Sequence, residues 1–160
     1  MALKESLTHL LDERRIATLT TFGADGMPHV TAVWFLWQDD ALYIATSHST
    51  GKGKNLLRDQ RMALCIESRE DGQEAGLSAS GHAELLSGET AAPLARQING
   101  KYLTPIAMEH PVVGAAFIGM SDLVVKLVPE KWISWDMAEM GEQLFTPDMA
   151  VEEYFYPTLK

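Results

Sequence analysis

A short basic segment is the most chemically distinctive part of this otherwise acidic sequence. The chain carries 13 Lys and Arg against 22 Asp and Glu, which gives a formal net charge of −9. Several of those cations fall close together in "STGKGKNLLRDQR", residues 49–61: Lys52, Lys54, Arg58 and Arg61. Basic side chains bind phosphate through charge-assisted hydrogen bonds. The segment therefore predicts a local anion site within an acidic protein.

The small residues around these cations also suit an anion. Ser49 and Thr50 offer hydroxyl groups, and either could cap a following helix whose first turn presents free backbone N–H groups. Gly51 and Gly53 remove side chains where the backbone could approach an anion closely. The segment is not a P-loop, because a glycine follows Gly51 and the next lysine where that motif requires Ser or Thr. We predict a phosphate cradle of another kind.

Other side chains that could carry out chemistry form no recognisable pattern. The five histidines show no metal-ligand spacing with one another, with cysteine or with carboxylates, so no metal site is predicted. Cys65, the one cysteine, lies in an apolar run and is interpreted as a small buried hydrophobe. No G-x-S-x-G motif is present. We assign no catalytic side chain.

Length and composition bound the class of protein. The 160 residues, 46% of them hydrophobic, predict one globular domain over 1–160. The acidic balance argues against nucleic acid and anionic membranes as partners, and no apolar run approaches the ~18 residues of a membrane span. A single cysteine and the absence of a basic-then-apolar leader predict a cytoplasmic location.

The elements that must position the basic segment are mostly strands. Helical spacing of leucines predicts a short helix over 5–14, and composition predicts another over 89–102. Runs of β-branched and aromatic residues predict strands at 15–21, 29–37, 41–47, 61–68 and 77–86, and one or two within 122–136, where Pro129 is a break. Short connections favour antiparallel pairing. We expect a mainly β fold, a six-stranded antiparallel split barrel with flanking helices.

The order of these segments resembles a known family. "GMPHVTAVWFLW", "ALYIATS", "STGKGKNLLRDQRMAL" and "SASGHAELL" look like the flavin-binding split β-barrel family of pyridoxamine 5′-phosphate oxidase, which includes relatives that use a 5-deazaflavin. The likeness covers residues 10–86, with a weaker match at "LVVKLVPEKWISWD". Its most specific part is the pattern K-x-x-N-L-x-x-[DN]-x-R, which begins here at Lys52.

The resemblance implies which residues hold the phosphate of a cofactor. Lys52 is the expected phosphate ligand, and Lys54 is a second basic position. Four further positions would lie alongside: Ala45, Thr46, Ser49 and Thr50.

The resemblance also implies contacts to the cofactor ring. Val33 and Trp34 in the second strand would flank the ring, and Trp132 near the last strand would cover it. The oxidase proper carries an Arg and a Lys in the second strand that help to hold phosphate, and this chain has Thr31 and Leu36 there. That departure argues against pyridoxamine phosphate oxidase activity itself.

The resemblance implies an FMN-binding oxidoreductase that transfers hydride or electrons to a small-molecule substrate through a cofactor at the interface of a homodimer. FMN is the expected cofactor, since the glutamyl tail of a deazaflavin prefers a more basic groove than an acidic chain offers. The closely spaced lysines favour the alternative, a reductase that depends on the deazaflavin coenzyme F-420. A non-catalytic flavin- or haem-binding module is the remaining interpretation.

Overall fold

The chain folds into an antiparallel sheet with short helices around it. A computed structural model describes residues 3–69, 74–146, 149–150 and 153. Those residues contain eight strands: β1 (Ala17–Phe22), β2 (Pro28–Val33), β3 (Leu36–Gln38), β4 (Ala41–Thr46), β5 (Arg61–Ser68), β6 (Ala75–Ser87), β7 (Leu123–Leu127) and β8 (Lys131–Asp136). The same ranges contain six α-helices: α1 (His9–Asp12), α2 (Gly51–Arg58), α3 (Ala91–Tyr102), α4 (Pro105–Glu109), α5 (Val113–Gly119) and α6 (Met137–Leu144). The predicted domain 1–160 also includes residues outside the described ranges.

The sheet curls until its two ends meet. The strand order is β2-β1-β5-β6-β7-β4-β3, and β8 pairs with β6 beside this path. β2 and β3 stand at opposite ends of the order, yet Val33 and Leu36 are only three positions apart in the chain. Because three residues span at most about 11 Å, the ends of the sheet lie close together. The predicted antiparallel barrel with flanking helices is therefore confirmed.

The predicted number of strands, six, was too low by two. One predicted strand is divided, and the segment 122–136, where one or two strands were expected, forms both β7 and β8. The apolar run 29–37 reads as continuous, but the chain leaves β2 after Val33 and enters β3 at Leu36. Between them, Phe35 is fully buried. The hydroxyl group of Tyr102 accepts a hydrogen bond from the Phe35 N–H at 3.2 Å and donates to the carbonyl of Arg15 at 2.7 Å. A side chain thus satisfies backbone groups where the sheet ladder is interrupted.

Two layers of packing fix the position of β4. Its inner face contributes Leu42 and Ile44 to the barrel core, where both are fully buried. On its outer face, Ala41 and Tyr43 pack against the apolar side of α3 in a second cluster. By contrast, the outer face of β2 exposes Val30, with 57% of its surface accessible. The chain alone therefore covers β4 on both sides and leaves β2 uncovered on one.

The two predicted helices that flank the barrel are present. Leu7, Leu10 and Leu11 are buried in the N-terminal helical segment, as their spacing predicts. α3 occupies 91–102, and Pro93 lies in its first turn, where a missing N–H costs no helical hydrogen bond. Of the helices in the described ranges, none combines the length and apolar character needed to cross a membrane.

Candidate cofactor-binding groove

A groove of about 320 Å³ opens where the ends of β2 and β4 meet α2, α3 and α5. Its walls are Ile16, Ala32, Val33, Trp34, Ala45, Thr46, Thr50, Lys52, Ile98, Asn99, Phe117, Met120 and Ser121. The fold thus brings six of the predicted cofactor-binding residues together: Val33, Trp34, Ala45, Thr46, Thr50 and Lys52. The volume is at the lower end of the range typical of small-molecule sites.

The remaining predicted residues lie elsewhere. Lys54 is exposed on α2 and Ser49 is exposed in the turn before it, and neither lines the groove. Trp132 is 9% exposed in the barrel core, where its ring meets Trp37 edge-on with the ring centroids 5.9 Å apart. Trp132 therefore packs as a core residue of this chain.

Thr50 starts α2 and organises the turn that leads into it. Its side-chain oxygen accepts a hydrogen bond from the Gly53 N–H at 3.1 Å, so Thr50 is the N-cap, one of the two candidates that the sequence offered. Its O–H donates to the Ser47 carbonyl at 2.8 Å. Thr46 lies 3.0 Å from the same oxygen, and since the Thr50 hydrogen is already used, Thr46 is the donor between them. These hydroxyl hydrogens are committed to the turn and are not free for an anion.

Lys52 and two backbone amides are the groups left to face an anion at this end of the groove. Lys52 is half-buried and forms no ion pair with any residue in the described ranges. The N–H groups of Gly51 and Lys52 in the first turn of α2 have no acceptor among those residues. A helix start with free amides attracts negative charge, and the lysine adds a full charge beside it.

Gly53 has a packing role that the sequence did not indicate. A Cβ atom at this position would lie 2.1 Å from the carbonyl oxygen of Ser47, a backbone atom that cannot swing aside. The glycine therefore lets the first turn of α2 press against the preceding turn. This contact alone explains why residue 53 is a glycine, without the predicted close approach of an anion.

The other positions of the basic pattern hold α2 in place. Asn55 is buried, and its Nδ2 donates to the hydroxyl of Thr21 on β1 at 3.0 Å and lies 3.3 Å from the ring of His29 on β2. Leu56 is fully buried in the barrel core. These two contacts fix the helix against the barrel, so that the direction of Lys52 is set by the fold.

An aromatic wall forms the side of the groove away from Lys52. The Trp34 ring is stacked between Tyr102 of α3 and Phe117 of α5, with centroid distances of 4.8 and 5.2 Å. Burial raises the pKa of Tyr102, so its hydroxyl group stays protonated at neutral pH. Trp34 and Phe117 line the groove. Because Tyr102 and Phe117 cover both faces of the Trp34 ring, Trp34 presents its edge to the groove, and flat apolar surface for a planar ligand comes from Phe117.

The segment 88–120 contributes groove residues that sequence reasoning missed. Asn99, on α3, is only 3% exposed yet lines the groove, together with Ser121 just after α5. The available signal was a polar residue on the apolar side of a helix, since Asn99 shares that side with Ala91, Ala95 and Ile98.

A second, wider cavity of about 550 Å³ lies at the other end of α2, and its cations already have partners. Arg58 donates to the carbonyl of Phe22 at 2.6 Å. Hydrogen bonds from Arg61 lower the pKa of Asp59 to about 2. His82 lies 2.7 Å from Glu130. Volume alone favours this cavity, but the unpaired cation lies in the groove.

His48, beside the basic turn, also has a partner. Its Nδ1 lies 3.1 Å from a carboxylate oxygen of Asp122. Two side-chain hydrogen bonds lower the pKa of Asp122. The one from Ser47 has the larger effect, and the one from His48 has the smaller. The described residues contain no group of three His, Cys, Asp or Glu side chains arranged to hold a metal ion.

A family model described as pyridoxamine 5′-phosphate oxidase matches residues 3–136. The chain belongs to this family. The resemblance found in the sequence is thereby confirmed, and it extends well beyond the segment 10–86 in which the sequence first suggested it.

Individual relatives give the comparison more detail. The F-420H2-dependent biliverdin reductase of Mycobacterium tuberculosis is 36% identical over 85 residues, which are 53% of this chain and 61% of that protein. The match therefore spans less than two thirds of the relative's length.

Solved structures of this oxidase family's fold superimpose on most of the chain. The conserved hypothetical protein Rv2991 from Mycobacterium tuberculosis has a TM-score of 0.72 at 24% identity, over 94% of this chain and 96% of its own. An F-420 reductase has a TM-score of 0.64 at 21% identity, over 82% and 98% of the two chains. These likenesses confirm the split-barrel fold.

Proposed function

We propose that this chain is an oxidoreductase that binds the deazaflavin coenzyme F-420 in the groove. The observation that carries the proposal is Lys52 beside two amides at the start of α2, none of which has a partner among the described residues, at one end of a slot with an aromatic wall. A phosphate suits the first feature and a planar ring suits the second.

The groups present fit such a cofactor. A bound deazaflavin would supply hydride transfer. Lys52 and the N–H groups of Gly51 and Lys52 would hold its phosphate. The ends of β2 and β4, at Val33 and Ala45, would lie against its ring, and Trp34 would limit the ring's movement. Among the described wall residues Lys52 alone is titratable, so the protein would bind and orient while the cofactor reacts.

A relative supports F-420 over FMN as the proposed cofactor. The biliverdin reductase that matches 53% of this chain is named for reduced F-420. The exposed Lys54, two positions beyond the second of the α2 amides, adds positive charge outside the groove where an anionic tail could extend. FMN, which the sequence favoured, becomes the alternative cofactor. For the choice between the two cofactors, the local charge near α2 matters more than the acidic total charge of the chain.

Equilibrium binding tests this assignment. We expect F-420 to bind at least about tenfold more tightly than FMN when each is titrated into the protein and followed by its own fluorescence. We also expect reduced F-420 to be oxidised in the presence of biliverdin. Tighter binding of FMN would reassign the cofactor, and no binding of either would refute the proposed function.

We further propose that the active form is a homodimer whose second copy covers the groove and the outer face of β2. Ile16 and Met120 line the groove but are 53% and 56% exposed, and Val30 is 57% exposed on β2. Burying such apolar surface favours association.

Sedimentation equilibrium tests the dimer. We expect twice the mass of the chain for the wild type and a monomer for Val30→Lys, because a charge would be buried in the interface. Val30 is exposed in the single chain, so this substitution should leave the far-ultraviolet circular dichroism unchanged. A monomeric wild type would contradict the proposal.

A further inference from the structure

Asn99 carries an unused hydrogen-bonding edge inside the groove. The residue is 3% exposed, it lines the groove, and the other buried residues on its side of α3 are apolar. Its Nδ2 donates a hydrogen bond to the hydroxyl oxygen of Ser121 at 3.4 Å. Its Oδ1 has no partner among the residues that the structure describes. Oδ1 is not sealed from solvent, so it opens on the groove, where a ligand that donates to it gains a hydrogen bond.

A short relay fixes which way this amide points. The Ser121 hydroxyl donates its single hydrogen to the carbonyl of Phe117 at 2.7 Å. The Ser121 oxygen can therefore only accept from Asn99, and the NH2 group rather than the oxygen must face it. The assignment of amide nitrogen and oxygen follows from this network. What remains for the groove is one N–H of Nδ2 and the acceptor Oδ1.

A group that has an N–H donor next to a carbonyl acceptor can pair with another group that has the same two atoms side by side. A carboxamide forms two parallel hydrogen bonds with a ring that carries N–H beside C=O, as in a lactam or an imide. A ring that lacks either group would leave one of the two Asn99 sites unpaired, which discriminates strongly against it.

We infer that Asn99 reads the N–H and C=O edge of a planar ring bound in the groove, with Ser121 as the residue that orients it. This inference rests on the proposed function, which supplies the ring. Two sources share the chemistry: the imide of a deazaflavin, and the terminal lactam of a linear tetrapyrrole such as biliverdin, named in the relative.

Two ligand titrations separate these sources. F-420 and biliverdin are titrated separately into the wild type, Asn99→Ala and Ser121→Ala, and an F-420 derivative methylated on the imide nitrogen serves as a third probe. Gln97→Ala, at an exposed position on the same helix that does not line the groove, is the matched control. Loss of two neutral hydrogen bonds corresponds to a weakening of about tenfold or more.

If Asn99 pairs with the cofactor, the wild type rejects the methylated derivative. The Asn99→Ala variant then binds F-420 about tenfold more weakly than the wild type does, and it binds F-420 and the methylated derivative equally well. If Asn99 pairs with the substrate, the Asn99→Ala variant binds biliverdin about tenfold more weakly than the wild type does, and its affinity for F-420 is unchanged. Ser121→Ala shows a smaller loss for the same ligand, and it provides the test if Asn99→Ala does not fold.

Two results would overturn the inference. If the wild type binds F-420 and both variants bind both ligands within twofold of it, Asn99 reads no ligand while the proposed function stands. If the wild type binds none of the ring ligands, the proposed function fails and the inference falls with it.

Discussion

Replacing Lys52 with alanine should weaken F-420 binding at least about 30-fold, whereas replacing Lys54 should change it less than about threefold. A charge-assisted contact to a phosphate in a partly desolvated site contributes about 2 kcal/mol or more. Lys52 lines the groove and is half-buried, and Lys54 is exposed and lies outside it. Fluorescence titration of both variants at one ionic strength measures the difference.

The two lysines make a closely matched comparison. Both variants lose the same charge from the same helix, so the long-range field of the protein changes equally. Only direct contact separates them. Equal losses for both variants would mean that the helix attracts the cofactor by general charge, and the assignment of Lys52 as the phosphate ligand would be wrong.

Gly53→Ala should lower the free energy of unfolding by about 1–3 kcal/mol, the range for overpacking in a well-packed site. The added Cβ would lie 2.1 Å from the Ser47 carbonyl oxygen and 3.1 Å from the oxygen of Thr50 that caps the helix. Relief of this clash requires α2 to shift away from the turn, which also removes the cap. Urea denaturation of the variant gives the value.

Gly100→Ala is the control for this substitution. Gly100 is exposed on α3, and a Cβ there would meet nothing within 4 Å. Alanine should therefore stabilise the protein by about 0.5–1 kcal/mol through its better helix propensity. If Gly53→Ala costs less than about 1 kcal/mol, the close contact between the turn and α2 is not a requirement of the fold.

The different placement of the two lysines follows from helix geometry. From the sequence alone they were treated as a pair, because both flank glycine in a basic turn. Once Thr50 caps the helix, Lys52 and Lys54 both lie within it, and residues two apart on a helix do not face the same side. The prediction of a cap at Thr50 already contained this consequence.

The break between β2 and β3 could not be predicted from local sequence. "HVTAVWFLW" has the composition of one continuous strand. The interruption depends on the Tyr102 hydroxyl, which comes from a helix 67 positions further along the chain. The pairings β1–β2, β3–β4 and β5–β6 were predictable, because short turns connect the two strands of each pair, whereas β4 and β5, which flank the basic segment, are not neighbours in the sheet.

The far wall of the groove depends on how α3 and α5 dock. The sequence predicted a helix over 89–102 but named no groove residue in it. Whether Asn99 faces a cavity or the core is settled by its neighbours in and just after α5, including the Ser121 that lies 22 positions away. Long-range docking of this kind leaves only a weak local signal.

A crystal structure of the protein with F-420 tests the central claim most directly. The account predicts that the phosphate lies within about 3 Å of Lys52 Nζ and of the first amides of α2, with the ring along the ends of β2 and β4. A phosphate bound instead in the wider cavity beside Arg58 and Arg61 would contradict it.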